Sequence, residues 1–389
     1  MITSELPLPY KRFEELARFQ EPYCVSIYLP MYKTGKEQNQ GLGPAQLRSA
    51  LEQAERHLNS LGMPAMEVEA YVSPVKDLIA DLGFWRYPSE GLAIFLDRHN
   101  GLSLNKLPLG FSPLVYVADH FYIVPLLPLF EFDNRIFLLQ LSQDYVKLFQ
   151  GDPYQMEEVH ISDMIPGQLE ETVGFDYKQK MLQFRTGHAT HGAGSFHGHG
   201  EGKDDDRKEV LSFLRKIEKS IKKTLQAENI PLVLGCVDEL YPLYKQVNTY
   251  SQLYPEHISG DPETKDKNQW AIEIRNLILN KNKASKKAYC DEYDEFIHTP
   301  KTSHQISEII PAAVSGKIEL LFLKKGAMVY GTFNIKNNCV ILDSEKTPKN
   351  RCLVNFAAVN TILQGGNIYS MENEMMPEEN RPLNALYRY

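Results

Sequence analysis

The stretch RIFLLQLSQDYVKLFQGDP, residues 135–153, decides the fold of the middle of this 389-residue chain. It contains two short apolar strands, Arg135–Leu141 and Tyr145–Phe149, and a polar turn follows each of them. A third strand at Met156–Ile161 completes a meander. A long helix and a buried-looking strand, Leu232–Val237, come next. This order of elements predicts an RNase H-like α/β core.

The long helix after the meander is predicted to begin near Asp204–Asp206, where the aspartates would supply an N-cap and favourable charge. Its apolar stripe consists of Val210, Leu214, Ile217, Ile221 and Leu225. The other side of the helix is basic and carries Arg215, Lys216, Lys219, Lys222 and Lys223. Two interpretations of this basic side stay open: it is a solvated charged face, or it contacts phosphates.

The regions on both sides of this core also show α/β patterns. Residues 1–127 contain a strand-like run, Cys24–Leu29, and a helix with one apolar face, formed by Leu47, Leu51, Ala54 and Leu58. In residues 263–389, helices alternate with strands, which predicts a small α/β/α sandwich. We therefore predict an α/β protein of three domains: an N-terminal α/β domain (1–127), an RNase H-like middle domain (128–262) and a C-terminal α/β/α sandwich (263–389).

Charge and composition exclude several classes of protein. The net charge is -8, divided as -3, -7 and +2 over the three predicted domains, so the chain is no polycation. We find no apolar run near the ~20 residues of a membrane helix and no basic, apolar leader at the N-terminus. The five cysteines form no CxxC pair, which argues against a disulfide framework and a thiolate zinc site. We expect a cytoplasmic protein that binds no membrane.

The stretch GHATHGAGSFHGHGEG, residues 187–202, has six glycines and four histidines among its 16 residues. Glycine this dense does not serve packing, because it costs conformational entropy and buries no side chain. The stretch could be a plain surface loop, or an arm that orders inside a large RNA-rich partner. It could also bind phosphate ahead of the helix, although Asp204–Asp206 would repel an anion and no GKS or GKT ending follows. A fourth interpretation is a metal site built from His188, His191, His197 and His199.

A set of short stretches in a fixed order carries a family resemblance. In the middle of the chain these are residues 137–143, 146–151, 198–205, 242–244 and 258–260. In the last third they are residues 312–322, 365–369 and 388–389. In this order they resemble the bacterial relatives of the archaeal and eukaryotic class-1 release factors and of Pelota. The resemblance covers residues 130–389 well and the first domain by position alone.

The resemblance implies a tRNA-shaped translation factor that acts at the ribosomal A site in ribosome rescue, peptide release or hibernation. Its partners would be the ribosome, through rRNA and P-site tRNA, and a translational GTPase, and no cofactor is implied. The ribosome-contacting residues would be those of the basic helix face together with Gly192, Gly194, Ser195, Gly198, Gly200 and Gly202.

Release factors carry a Gly-Gly-Gln loop in the middle domain, which positions a water on the peptidyl-tRNA ester. The stretch 187–202 has neither Gln nor Gly-Gly, and Gly192-Ala193-Gly194-Ser195 comes nearest to it. Ester hydrolysis would therefore need another water-orienting group, for which His197 and His199 are the candidates. Two alternatives of other classes remain: a metal-dependent hydrolase that uses the loop histidines, and a non-catalytic interaction scaffold.

Overall fold

The computed structural model describes residues 8–32, 41–142, 145–154, 156–161 and 201–389. The chain forms two compact units. The first combines residues 1–132 with 284–389, and the second is Asp133–Lys283. Each unit contains a mixed arrangement of helices and sheets, so the predicted α/β class is confirmed. Among the described residues, no helix is both long and apolar enough to cross a membrane.

The N-terminal part of the first unit is a four-stranded antiparallel sheet with helices on both faces. Its helices are α1 (Tyr10–Arg18), α2 (Leu42–Ser60), α3 (Ala65–Ala80) and α4 (Leu82–Arg86). Its strands are β1 (Gln20–Pro30), β2 (Gly91–Asp97), β3 (Gly101–Leu107) and β4 (Leu114–His120), in the order β3-β2-β1-β4. The predicted apolar face of α2 is buried, because Leu47, Leu51, Ala54 and Leu58 pack in one cluster with residues of α3 and the sheet.

The second unit has a five-stranded sheet in the order β7-β6-β5-β8-β9. Its strands are β5 (Ile136–Leu141), β6 (Val146–Gly151), β7 (Met156–Val159), β8 (Leu232–Cys236) and β9 (Leu253–Ser259). Strand β5 pairs antiparallel with β6 and parallel with β8, and β8 pairs parallel with β9. The meander and the parallel strand β8 follow the order predicted for the RNase H-like core, and β9 extends the sheet by a strand that was not predicted from the sequence.

Helices cover both faces of this sheet. They are α5 (Glu201–Glu228), α6 (Leu240–Val247) and the first part of α7 (Lys267–Glu295). The apolar stripe of α5 packs against one face, and Trp270 of α7 packs against the other. A Cβ atom added to Gly235 would lie 2.5 Å from the Trp270 ring, so this position accepts no larger residue without movement.

The C-terminal part of the first unit is an α/β/α sandwich, as predicted. Its strands include β10 (Thr302–Ser303), β11 (Ile318–Lys324), β15 (Asn367–Met371) and β16 (Leu383–Tyr387), in the order β10-β16-β11-β15. Helices α8 (Ile306–Val314) and α9 (Leu353–Leu363) pack on one face. The end of α7 packs on the other face, where Tyr293 is fully buried. A second sheet combines β12 (Tyr330–Asn334), β13 (Cys339–Asp343) and β14 (Arg351–Cys352).

The N-terminal and C-terminal parts share one hydrophobic core. The cluster around Phe13 and Tyr122 continues without interruption into the residues of α8 and α9. Buried Asn355 accepts from the backbone N–H of Ile123 at 2.9 Å and donates to the carbonyl of Phe121 at 3.0 Å. The short 3-10 helix Val124–Leu129 is part of this core, because Val124, Leu126 and Leu127 are buried in it. The three-domain limits drawn from the sequence stay a prediction.

Candidate functional site

Helix α5 presents the predicted basic face. The side chains of Arg215, Lys216, Lys219 and Lys223 are exposed, and Lys222 is half-buried. At 100° per residue, these five positions fall within an arc of about 120°. The buried stripe lies on the opposite side of the helix, where Ile217, Ile221 and Leu225 have no exposed surface. The helix thus separates an apolar face from a continuous cationic face.

One of the five cations is held by the protein itself. The Lys222 ammonium donates to the Thr249 hydroxyl at 2.8 Å. Glu218, which is 7% exposed, accepts from the Thr249 backbone N–H at 3.2 Å and also from its hydroxyl. Lys222 therefore takes part in a network that fixes α5 to the segment before β9.

The other four cations of the face are not neutralised by the described part of the chain. No ion pair joins Arg215, Lys216, Lys219 or Lys223 to a carboxylate there. Each can therefore turn towards an external anion without breaking an ion pair to a described carboxylate. Their spacing along the helix, at i, i+1, i+4 and i+8, suits successive phosphates of a nucleic acid backbone better than a single small anion.

The loop part of the predicted site lies outside the described residues. This applies to the two candidate catalytic histidines, His197 and His199, and to the other two candidate metal ligands, His188 and His191. It also applies to Gly192, Gly194, Ser195, Gly198 and Gly200. The last two residues of the stretch, Glu201 and Gly202, are already helical, because α5 begins at Glu201.

The predicted N-cap of α5 is wrong. Since the helix begins at Glu201, Asp204, Asp205 and Asp206 occupy positions inside its first two turns. Acidic residues are favoured there as well, because the unpaired N–H groups and the dipole make this end positive. The acidic run therefore marked the correct end of the helix but not the capping position.

A second basic cluster, at Lys281, Lys283, Lys286 and Lys287, is partly used for structure. Lys286 pairs with Glu131 at 2.7 Å and donates to the carbonyl of Ser370 at 2.7 Å. The Glu131 side chain is only 5% exposed, so this ion pair belongs to the interior of the first unit. Lys286 is for this reason not available to an external partner.

Sequence reasoning missed a polar group at the carboxyl ends of β8 and β9. His257 lies 2.9 Å from Asp238, and the Tyr241 ring stacks on the imidazole with a centroid distance of 4.4 Å. Hydrogen bonds from Ser259 and His257 lower the pKa of Asp238. Both donors converge on the carboxylate, so the imidazole does not accept from the serine, and this is not the arrangement of a nucleophilic triad. The group joins the segment after β8 to β9.

The structure gives no support to a metal centre in the part of the chain that it describes. No three His, Cys, Asp or Glu side chains there are placed to hold an ion. The four loop histidines, on which the metal alternative depends, lie outside that part. The described residues therefore leave the cationic face of α5 as the strongest candidate site of the second unit.

Comparison with known proteins finds a family match for most of the second unit. Residues 136–278 match the family model described as bacterial archaeo-eukaryotic release factor family 7. This range contains all five strands of the second unit, helices α5 and α6, and the start of α7. No curated protein matches the sequence.

Solved structures show only distant likenesses. The archaeal translation termination factor aRF1 is 11% identical over 98% of this chain and 97% of its own, with a TM-score of 0.24. A ribosome-bound archaeal Pelota is 9% identical over 100% of this chain and 95% of its own, with a TM-score of 0.40. Dom34 of S. cerevisiae is 11% identical over 77% of this chain and 73% of its own, with a TM-score of 0.34. The relationship to release factors therefore rests on the family match of residues 136–278 and not on these structures.

Proposed function

Because this chain is a bacterial archaeo-eukaryotic release factor-like protein, we propose that it is a ribosome-associated translation factor that works in the cytoplasm. It would occupy the A site in ribosome rescue, peptide release or hibernation, with rRNA and P-site tRNA as its contacts. A translational GTPase would deliver or release it. One observation carries the proposal: four exposed cations without a described carboxylate partner lie on α5, the helix that begins at the end of the stretch 187–202 in the family-matched unit.

Electrostatics decide whether such binding is plausible for an acidic protein. The whole chain has a net charge of -8, so its average field repels RNA. Affinity for RNA must then come from a local surface whose cations are free to replace condensed counterions. The α5 face meets this condition, since its four exposed cations have no described carboxylate partner. Four phosphate contacts would give a slope of log K against log salt of roughly -3.

Two modes of action share this surface. In the catalytic mode, the stretch 187–202 enters the peptidyl-transferase centre, and His197 or His199 orients the water that attacks the peptidyl-tRNA ester. In the binding mode, the protein occupies the A site without chemistry. Positioning a water needs only a hydrogen-bond acceptor and fixed backbone groups, so a histidine can replace glutamine in principle.

Co-sedimentation with bacterial ribosomes over a salt series tests the binding proposal. In the test variant, Arg215, Lys216, Lys219 and Lys223 are all changed to Gln. The matched control changes four exposed lysines of the first unit to Gln: Lys301, Lys325, Lys336 and Lys349. Both variants lose four positive charges, so a purely global charge effect weakens both equally. We expect about a hundredfold weaker binding and a flatter salt dependence for the α5 variant alone. Equal binding of the two variants would refute a role for this face.

Peptidyl-tRNA ester hydrolysis on purified ribosomal complexes separates the two modes. The double variant His197→Ala, His199→Ala should keep its binding and lose release by about 10² or more if a histidine orients the water. Unchanged release would exclude the histidines as that group. Binding without any release by the wild-type protein would establish the A-site occupancy mode. Binding that survives both the charge changes and replacement of residues 187–202 by a Gly-Ser linker would favour the interaction scaffold.

A further inference from the structure

A cavity of about 230 Å³ opens in the first unit beside the loop 344–350. Its charged lining residues are Asp119, Lys346, Lys349 and Arg351, and Tyr23, Thr347 and Asn350 add uncharged polar groups. Asp119, the acidic member, is already engaged by His120 at 2.6 Å and by Arg351 at 3.0 Å. The rim of the cavity therefore keeps an excess of positive charge.

Lys346 occupies an unusual environment within this lining. Its ammonium nitrogen donates to the carbonyl of Val117 at 2.6 Å and lies 4.1 Å from the centroid of the Tyr116 ring. No carboxylate pairs with it among the described residues. Burial without a counter-charge disfavours the protonated form, and it lowers the pKa of Lys346 to about 8.

The titratable groups around Lys346 come from three elements. Asp119 lies at the end of β4, and its pKa falls to about 2 because of His120 first and Arg351 second. From α2, His57 has a lowered pKa through burial and the repulsion of Lys346. Cys352 of β14 is buried with a raised pKa, so it stays a neutral thiol near pH 7. None of these groups supplies the anion that would hold Lys346 in its charged form.

We propose that Lys346 is an acyl-acceptor site for acyl phosphates. The neutral amine uses one hydrogen to donate to Val117 and keeps its lone pair for attack on the acyl carbon. A bond forms between the lysine nitrogen and that carbon, and the bond from the carbon to the phosphate oxygen breaks. Phosphate leaves as the anion beside Lys349 and Arg351, and the amine proton passes to water. The product is a neutral amide at Lys346.

The test uses the full chain with acetyl phosphate as the probe, and quantitative peptide mapping gives the initial rate at each lysine. The internal reference is Lys336, an exposed lysine of the same unit. At pH 7.5 we expect Lys346 to react about tenfold faster, because a far larger fraction of its amine is neutral. Its rate should level off above about pH 8, whereas the rate of an ordinary exposed lysine keeps rising through this range. Equal rates and parallel pH profiles would overturn the proposal.

A second comparison tests the phosphate contact. In the exposed variant Lys349→Gln, acetylation of Lys346 by acetyl phosphate should fall about threefold relative to the wild type. With p-nitrophenyl acetate, an acyl donor that has no phosphate, the same variant should react like the wild type. The same change with both reagents, or no change with either, would overturn the assignment of an acyl phosphate. Lys346→Arg verifies the site, since the acetylated peptide must disappear.

Discussion

Removing the Asn355 side chain should destabilise the first unit by about 3 kcal/mol. This side chain has no exposed surface and bonds two backbone groups of the N-terminal part, the N–H of Ile123 and the carbonyl of Phe121. Asn355→Ala leaves both groups buried and unpaired, at about 1–3 kcal/mol each. Since α9 belongs to the C-terminal part, the loss measures how strongly the two distant parts of the chain are joined.

The chain provides a separate reporter for each unit, because its two tryptophans lie in different units. Trp85 lies in the first unit, and Trp270 lies in the second. Urea unfolding of Asn355→Ala in a Trp270→Phe background follows the first unit alone. With an m-value of about 3 kcal/mol/M, the midpoint should move down by about 1 M. In a Trp85→Phe background, the midpoint of the second unit should stay where it is.

The matched control is Asn360→Ala in the same helix. The Asn360 amide donates at 2.8 Å to the carbonyl of Phe356, one turn earlier in α9, so its loss removes no bond between the two parts. We expect a change below about 1 kcal/mol, within the range for a partly exposed hydrogen bond. A midpoint for Asn355→Ala no lower than that of Asn360→Ala would refute the reasoning. An equal shift of both tryptophan reporters would refute the assignment of this core to one unit.

Two further predictions concern packing and pH. Gly235→Ala places a Cβ atom 2.5 Å from the Trp270 ring, so the second unit should lose about 1–3 kcal/mol in urea unfolding followed by Trp270 fluorescence. Asp119, whose pKa is lowered to about 2 by His120 first and Arg351 second, stabilises the fold above pH 4 and loses this effect as the pH falls towards 2. Asp119→Asn should therefore lower the free energy of unfolding by about 1 kcal/mol at pH 7, a value that allows for solvent screening of this half-exposed pair. It should also flatten the fall in the free energy of unfolding between pH 4 and pH 2. An equally steep fall in the free energy of unfolding below pH 4 for the wild type and the variant would contradict this.

Periodic patterns in the sequence correctly predicted those elements of the fold whose signal lies within a single helix or strand. The apolar repeat of α5 and the short strands around Phe137 and Phe149 identified the second unit, because each signal lies within one element. The basic face of α5 followed from the same helical periodicity, and the structure exposes four of its five residues.

Contacts between distant segments could not be predicted in this way. Lys286 lies in a lysine-rich stretch, and nothing near it in sequence points to its partner Glu131, which is 155 positions away. Asn355 has no pattern that points to Phe121, 234 positions earlier. Periodicity reports which side of an element is buried and not which element covers it. The lowered pKa of Lys346 has the same origin, since it results from burial among segments that are distant in sequence, such as β4.

The shared core of the first unit determines when this unit can complete its folding during synthesis of the chain. Its N-terminal half emerges first, but α8 and α9, which cover part of that half, come more than 170 residues later. At about 5–20 residues per second, the finished N-terminal half waits roughly 10–50 s for the rest of the chain. The second unit, which is contiguous, can fold during this interval. The nascent chain thus exposes the apolar surface around Phe13 and Tyr122 for a period in which chaperones can bind it.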